Sequence, residues 1–154
     1  MKNLIILLAL SLSVGSAYSQ KLKEADVPAA VKESFKKNYP TGKAEKWEKE
    51  GDVYEAEYEM GKDEGSVTFD ASGNVQETEK EIKVSELPKG VSDYVNKNMP
   101  GKKIKEASKI TTAAGVVQYE AEVGEVDYIF DADGKFLKKE EDKEKDDDDK
   151  KKKD

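Results

Sequence analysis

Glutamates at alternating positions are the residues of this 154-residue chain that are best placed to do chemistry. The quartet YEAE occurs twice, at residues 54–57 and 119–122. Alternation puts the acidic side chains on one face of each strand, and these residues are Glu55, Glu57 and Glu59, then Glu120 and Glu122. Such a face could attract a basic peptide, a basic protein patch or a divalent cation. The alternative is a solvated face balanced by cross-strand lysines.

A loop with two aspartates and a glycine offers a second possible cation site. Asp131, Asp133 and Gly134 resemble part of a calcium-binding loop, and Glu140 falls at its twelfth position when Gly134 is the sixth. Ile129 then takes the first position, where a carboxylate is required. The flanking residues have strand character, so we interpret the loop as a hairpin turn and predict no metal site.

The single tryptophan, Trp47, is a candidate contact residue. On an open sheet face its indole would anchor a partner, because buried aromatic side chains dominate the energetics of interfaces. Its counterpart in the second half of the chain is Ala107, so the indole is not shared by both halves. Core filling between helix and sheet is an equal alternative. The candidate partner-binding set is therefore Trp47, Glu55, Glu57, Glu59, Glu120 and Glu122.

The composition argues against an enzyme. The chain has neither histidine nor cysteine, so it lacks the commonest general base and two common metal ligands. The sequence contains no G-x-S-x-G motif and no glycine-rich phosphate loop. A net charge of −7 argues against nucleic acid as a partner. We predict a protein without catalytic residues and without a cofactor.

Two helices are needed to cover the apolar side of these strands. Each begins at a Val-Pro or Leu-Pro pair and ends before a second proline, at residues 27–40 and 87–100. Pro28 and Pro88 suit a first helical turn, where a missing N–H costs nothing. Apolar residues recur every four positions on one stripe of each helix, and they are Val27, Val31, Phe35 and Tyr39, then Leu87, Val91, Val95 and Met99.

After each helix the period of the pattern changes from four to two, which indicates half-buried antiparallel strands. A Phe-Asp-Ala-x-Gly sequence then predicts a hairpin in each half, with Gly73 and Gly134 at positive φ. The inward-facing residues of these strands should be Val67, Phe69, Tyr128 and Phe130. Further strands at residues 43–49 and 75–82 complete the first block.

The fold class that follows is α+β. We predict a tandem repeat of a helix plus a four-stranded antiparallel meander, with both helices packed on one face of the sheet or sheets. The two repeats span about residues 25–82 and 85–138. One continuous eight-stranded sheet and two four-stranded sheets are both compatible with the pattern.

Taken together, these motifs resemble the PepSY-like domains of exported bacterial proteins, a family that is also likened to the β-lactamase-inhibitor-protein fold. The Leu/Val-Pro helix start, the Tyr-Glu-x-Glu strand and the Phe-Asp-x-x-Gly hairpin each occur twice, and the resemblance covers residues 25–138. It implies binding rather than catalysis, since related PepSY domains are thought to inhibit peptidases or to chaperone a neighbouring domain. The β-lactamase inhibitors carry disulfides, and this chain has no cysteine, so β-lactamase inhibition is not implied.

The two ends of the chain differ from the central domain, residues 20–138. Residues 1–19 read as a secretory signal peptide, with Lys2 before an apolar run and with Ala17 and Ser19 at the −3 and −1 positions. No cysteine follows the run, so we predict a periplasmic or secreted protein with no membrane anchor after cleavage. Residues 139–154 are nearly all charged and predict a disordered tail.

The function that the sequence favours is a non-catalytic exported binding module. We expect it to hold an unidentified protein or peptide, of basic character if the acidic face is the site, and inhibition of a peptidase or another envelope enzyme is one form of this function. The alternative is a low-affinity cation-binding or envelope stress-buffering protein. A purely structural accessory is a third interpretation.

Overall fold

A computed structural model of the chain describes residues 19–141. The predicted signal peptide, apart from Ser19, and residues 142–154 of the predicted tail lie outside the described residues. The α-helices and strands run in the order β1 (Gln20–Leu22), α1 (Ala29–Asn38), β2 (Lys43–Glu50), β3 (Val53–Met60), β4 (Asp63–Asp70), β5 (Val75–Glu81), α2 (Lys89–Asn98), β6 (Ala107–Thr112), β7 (Val117–Glu122), β8 (Val126–Asp131) and β9 (Phe136–Glu141). A 3-10 turn precedes each α-helix, at Glu24–Asp26 and Val84–Glu86. Within residues 19–141 no helix has the length and hydropathy needed to cross a membrane.

The α+β class is confirmed, but the predicted four-stranded arrangement is wrong in detail. The strands are hydrogen-bonded neighbours in chain order in a nine-stranded sheet. The additional strand is β1, whose three residues pair with β2 and are too few to show a periodic pattern. Strand β9 pairs with β8 as far as Glu141, three residues into the predicted tail. The interpretation of the element order as a tandem duplication stays a prediction.

The chain forms two compact units, which are described separately. Within the described residues, the first unit contains residues 19–81 together with Lys109–Val117, and the second contains Ile82–Ser108 and residues 118–141. The Lys109–Val117 segment belongs to the first unit because its backbone bonds to β5. The Ala113 N–H donates to the Gln76 carbonyl at 2.6 Å.

In the first unit, α1 covers one face of the strands. The buried side chains of Val31 and Phe35 on the helix pack with Ala56, Val67 and Phe69 on β3 and β4. These strand residues occupy alternate positions, so the period of two selects one face. Full burial of each Val or Phe side chain contributes about 1.5–3 kcal/mol. The inward orientation predicted for Val67 and Phe69 is confirmed.

In the second unit, α2 packs on its strands in the same manner. Leu87 and Val91 contact a cluster that includes Ala107, Ala121 and Phe130. Partly buried aromatic rings complete this cluster, and they are Tyr94, Tyr119, Tyr128 and Phe136. The Tyr94 and Phe136 rings stack with their centroids 4.7 Å apart. The core therefore combines aliphatic side chains with aromatic rings that come from both α2 and the strands.

Both Phe-Asp hairpins form turns held by their aspartates. Asp70 Oδ1 accepts hydrogen bonds from the backbone N–H groups of Ser72 and Asn74, each at 2.9 Å. A hydrogen bond from the Asn74 side chain, together with these backbone bonds, lowers the pKa of Asp70 below its usual value. Gly73 follows with a φ of +84°, and a Cβ on it would lie 2.5 Å from the Ala30 carbonyl oxygen of α1. The turn therefore packs directly on the start of the helix.

We predict that Gly73→Ala destabilises the protein more than Gly115→Ala. Both glycines have positive φ, but a Cβ on Gly115 would meet no atom within 4 Å. Backbone strain alone should cost about 1 kcal/mol at Gly115, whereas Gly73 adds a steric clash worth about 1–3 kcal/mol. Urea unfolding of both variants measures the difference. Equal losses would show that the turn does not press on α1.

Candidate functional site

The strands of the first unit present a polar face on the side opposite α1. We call this the polar face and define it by the outward residues of β2–β5. The strand register places these residues in rows across the strands. One row contains Glu48, Glu55, Thr68 and Glu77, and the next contains Lys46, Glu57, Ser66 and Glu79. Acidic side chains therefore stand opposite other acidic or hydroxyl side chains, and Lys46 is the cation within these two rows.

Glu55 is the most perturbed member of this face. Glu55 is only 8% exposed, and burial raises the pKa of its carboxyl from the ordinary value of 4.5 to about 8. The negative charges of Glu79, Glu57 and Glu48 raise the pKa further, while a hydrogen bond from the Ser66 hydroxyl lowers it. The carboxyl is therefore largely protonated at neutral pH in the folded protein.

Three buried polar atoms of this row have no hydrogen-bond partner among the described residues, and they are Oε1 of Glu48, Oε1 of Glu55 and Oγ1 of Thr68. The Glu48 atom is within ion-pair distance of Lys46, which leaves Glu55 and Thr68, directly opposite each other in β3 and β4. Thr68 is 2% exposed. An unsatisfied buried polar atom costs about 1–3 kcal/mol. The face therefore holds hydrogen-bonding capacity that these residues leave unused.

Lys46 shows how the same face binds a cation. Its Nζ lies 3.0 Å from Oε1 of Glu57 and 3.0 Å from Oε1 of Glu48. The lysine is on β2 and Glu57 is opposite it on β3, so the ammonium group joins neighbouring strands. One ammonium is thus held between two carboxylates of the polar face.

The predicted glutamates of the second unit lie on β7. Glu120 is 6% exposed and pairs in register with the buried Ile129 of β8. Glu122 stands opposite Asp127 and binds Lys105 Nζ at 3.2 Å. This face of the second unit therefore mixes apolar and charged side chains.

The structure corrects the predicted exposure of the candidate residues. All five glutamates lie on the alternate positions expected of them, but Glu55 and Glu120 are buried. Of the other three, Glu59 is exposed, and Glu57 and Glu122 are half-buried. Neighbouring side chains across the strands cover them, and that crowding depends on the register. Whether these residues bind a partner stays a prediction.

Trp47 lies in the core and not on an open face. It is 6% exposed, and its ring meets Phe35 of α1 edge to face at 5.6 Å between centroids. The register shift between Ala44 and Lys46 changes which face each β2 residue takes, and it puts Trp47 opposite Ala56 under the helix. The core-filling alternative is therefore the one the structure supports, and a direct contact with a partner would need the core to open.

The sequence pattern missed Glu48, Thr68 and Glu79 as members of the site. Alternation is poor in residues 43–49 and 75–82, so their faces could not be assigned. The strand register identifies them, because Glu48 and Glu79 lie on the polar face once β2 and β5 are aligned with β3 and β4. Among residues 19–141 no group of three or more acidic side chains has a geometry that could hold a metal ion.

Comparison with known proteins identifies the family of the chain. A family model described as "Putative beta-lactamase-inhibitor-like, PepSY-like" matches residues 16–64 and 56–138. The chain belongs to this PepSY-like family. Among curated proteins, no sequence matches it.

Solved structures share the fold with this PepSY-like chain. A DUF2874 family protein from Bacteroides uniformis is 20% identical, with a TM-score of 0.64 over 74% of this chain and 88% of its own. A BLIP-like protein from Bacteroides fragilis is 26% identical, with a TM-score of 0.59 over 78% of this chain and 90% of its own. A structure from Bacteroides eggerthii described as "putative periplasmic proteins" has a TM-score of 0.65 at 18% identity, over 75% of this chain and 88% of its own.

We predict that Glu55→Gln stabilises the protein increasingly as the pH rises from about 4.5 to 8. The folded pKa is raised to about 8 from 4.5, so the wild type is most stable while the carboxyl is protonated in both states. The wild type loses this stability progressively between the two pKa values, and the loss is complete once the pH has risen through the folded pKa. At about 1.4 kcal/mol per pKa unit, the difference should reach a few kcal/mol above pH 8. Urea unfolding at pH 5 and pH 8.5 measures it.

Glu59→Gln is the matched control for this prediction. It makes the same chemical change on the same strand and the same face, but Glu59 is exposed. Its effect on the free energy of unfolding should stay within about 0.5 kcal/mol at both pH values. A constant difference between wild type and Glu55→Gln would contradict the buried position of Glu55.

Proposed function

We propose that this chain is a non-catalytic binding module of the bacterial envelope that holds a protein or peptide partner on the polar face of its first unit. Membership of a family described as inhibitor-like supports binding, and the description of a structural neighbour as periplasmic supports the location. Binding would include inhibition where the bound segment belongs to an envelope enzyme such as a peptidase.

The observation that carries this proposal is the buried carboxylate of Glu55 beside other carboxylates. Burial and like charges raise its pKa, which means that its ionised form is destabilised in the folded protein. An apolar side chain or a neutral amide at this position would avoid the free-energy cost of a buried carboxylate. A partner that brings positive charge or hydrogen-bond donors to the face would recover it, so the face favours a basic partner segment.

A charge reversal tests the proposal with a matched control. The mature protein, purified after export, serves as bait for envelope extract in two variants: Glu55→Lys with Glu57→Lys on the polar face, and Glu24→Lys with Glu33→Lys elsewhere. Glu24 and Glu33 are exposed, and Glu33 lies on α1. The two double variants change the net charge equally.

We expect the wild type and the Glu24/Glu33 variant to retain one partner at moderate salt and the Glu55/Glu57 variant to lose it. Retention at moderate salt matters because salt screens non-specific charge attraction. Capture of the same partner by all three baits would place the site elsewhere. Tight stoichiometric calcium binding in calorimetry, without a retained protein, would instead favour the cation-binding alternative.

A further inference from the structure

We propose that Glu55 and Thr68, flanked by Glu48, form a site for the ammonium group of a lysine side chain from the partner. This inference rests on the proposed function and specifies the chemistry that the partner presents. The three residues are consecutive members of one row across β2, β3 and β4. Directly opposite residues of an antiparallel pair have Cβ atoms about 4.5–5.5 Å apart, so their polar groups can converge on one small ligand group.

The unused hydrogen-bonding atoms indicate that a donor is missing. Oε1 of Glu55 and Oγ1 of Thr68 are buried and have no hydrogen-bond partner within residues 19–141. Both residues are more than nine-tenths buried, and both belong to the polar face. A carboxylate oxygen is an acceptor and a hydroxyl can accept, so a donor-rich cation satisfies both atoms at once.

An ammonium group fits this row better than a guanidinium group. The three acceptors come from three different strands and are not a single carboxylate edge. A lysine ammonium is a compact charge with three donors, whereas the planar guanidinium of arginine matches the two oxygens of one carboxylate. The lysine ammonium also lies at the end of a flexible four-carbon stem, which can enter a site that admits little solvent.

The neighbouring row provides a precedent within the same chain. Lys46 Nζ sits 3.0 Å from a carboxylate oxygen of Glu48 and of Glu57. The next lysine along the Glu48 row is Lys21 on β1, which is exposed and lies two strand spacings, about 9.5 Å, from Glu55. It lies three spacings from Thr68, beyond the reach of its side chain. Within residues 19–141, neither of these two lysines therefore supplies a donor to Glu55 Oε1 and Thr68 Oγ1, and an external donor can take that place.

The test uses short peptides of defined chemistry with the isotope-labelled mature protein. The probe is a blocked pentapeptide with one central lysine between alanines. The same peptides with norleucine, which lacks the charge, and with arginine serve as comparisons. Chemical shift changes of the Glu55 and Thr68 amides are followed by NMR at pH 8.5, where the Glu55 carboxyl is largely ionised in view of its pKa of about 8.

We expect saturable shifts with the lysine peptide, weaker binding of the arginine peptide, and none with norleucine. Glu55→Gln and Thr68→Val, which preserve side-chain volume, should each weaken lysine-peptide binding about tenfold. Glu59→Gln should leave it unchanged within about twofold. Equal binding of the lysine and norleucine peptides, or an equal loss in Glu59→Gln, would overturn the ammonium site.

Failure of this site is distinguishable from failure of the proposed function. If Thr68→Val still captures the envelope partner and the lysine peptide does not bind, the partner uses the polar face without this site. If the lysine peptide binds as expected but no bait retains a partner, the ammonium site is supported and the proposed protein-binding function is contradicted.

Discussion

When a helix covers one face of an antiparallel strand, the side chains at alternate positions must point to the opposite face. In the first unit the helix stripe packs on Ala56 and Tyr58 of β3, so the alternating glutamates have only the opposite face available. A shift of one residue would put those carboxylates under α1 and the aromatic rings in water. The polar face is therefore a consequence of the core, and its charges persist as long as the helix stays docked.

The fold was largely predictable because its strongest signals are local. The four-residue stripe of α1, the alternation of β3 and the Asp-x-x-Gly turns each depend on a short stretch of sequence. The position of Trp47 was not decidable, because a register shift between Ala44 and Lys46 reassigns the faces of β2. The short strand β1 has too few residues to carry a period. Membership of the PepSY-like family follows from the same local motifs.

The site was predictable only as a face and not as an environment. Alternation identified Glu55, but its burial depends on the residues that stand opposite it on β2 and β4, and only the strand register supplies them. The same register puts Glu48 across from Glu55, an arrangement that destabilises the strand pair when both carboxyls are ionised. Lys46 offsets part of this repulsion through its contacts with Glu48 and Glu57. What remains is a negative row with unused hydrogen-bonding atoms.

Protonation and cation binding relieve the same cost in that row. The pKa of Glu55 is raised because the folded protein disfavours its ionised form, and a proton removes the charge at neutral pH. An ammonium group would instead keep the carboxylate ionised and supply the donor that Oε1 lacks within the described residues. The two events exclude each other at this carboxyl, so an ammonium that binds there has to lower the pKa of Glu55. Thr68 differs from Glu55 in this respect, since its hydroxyl contributes to cation binding without competing for the proton.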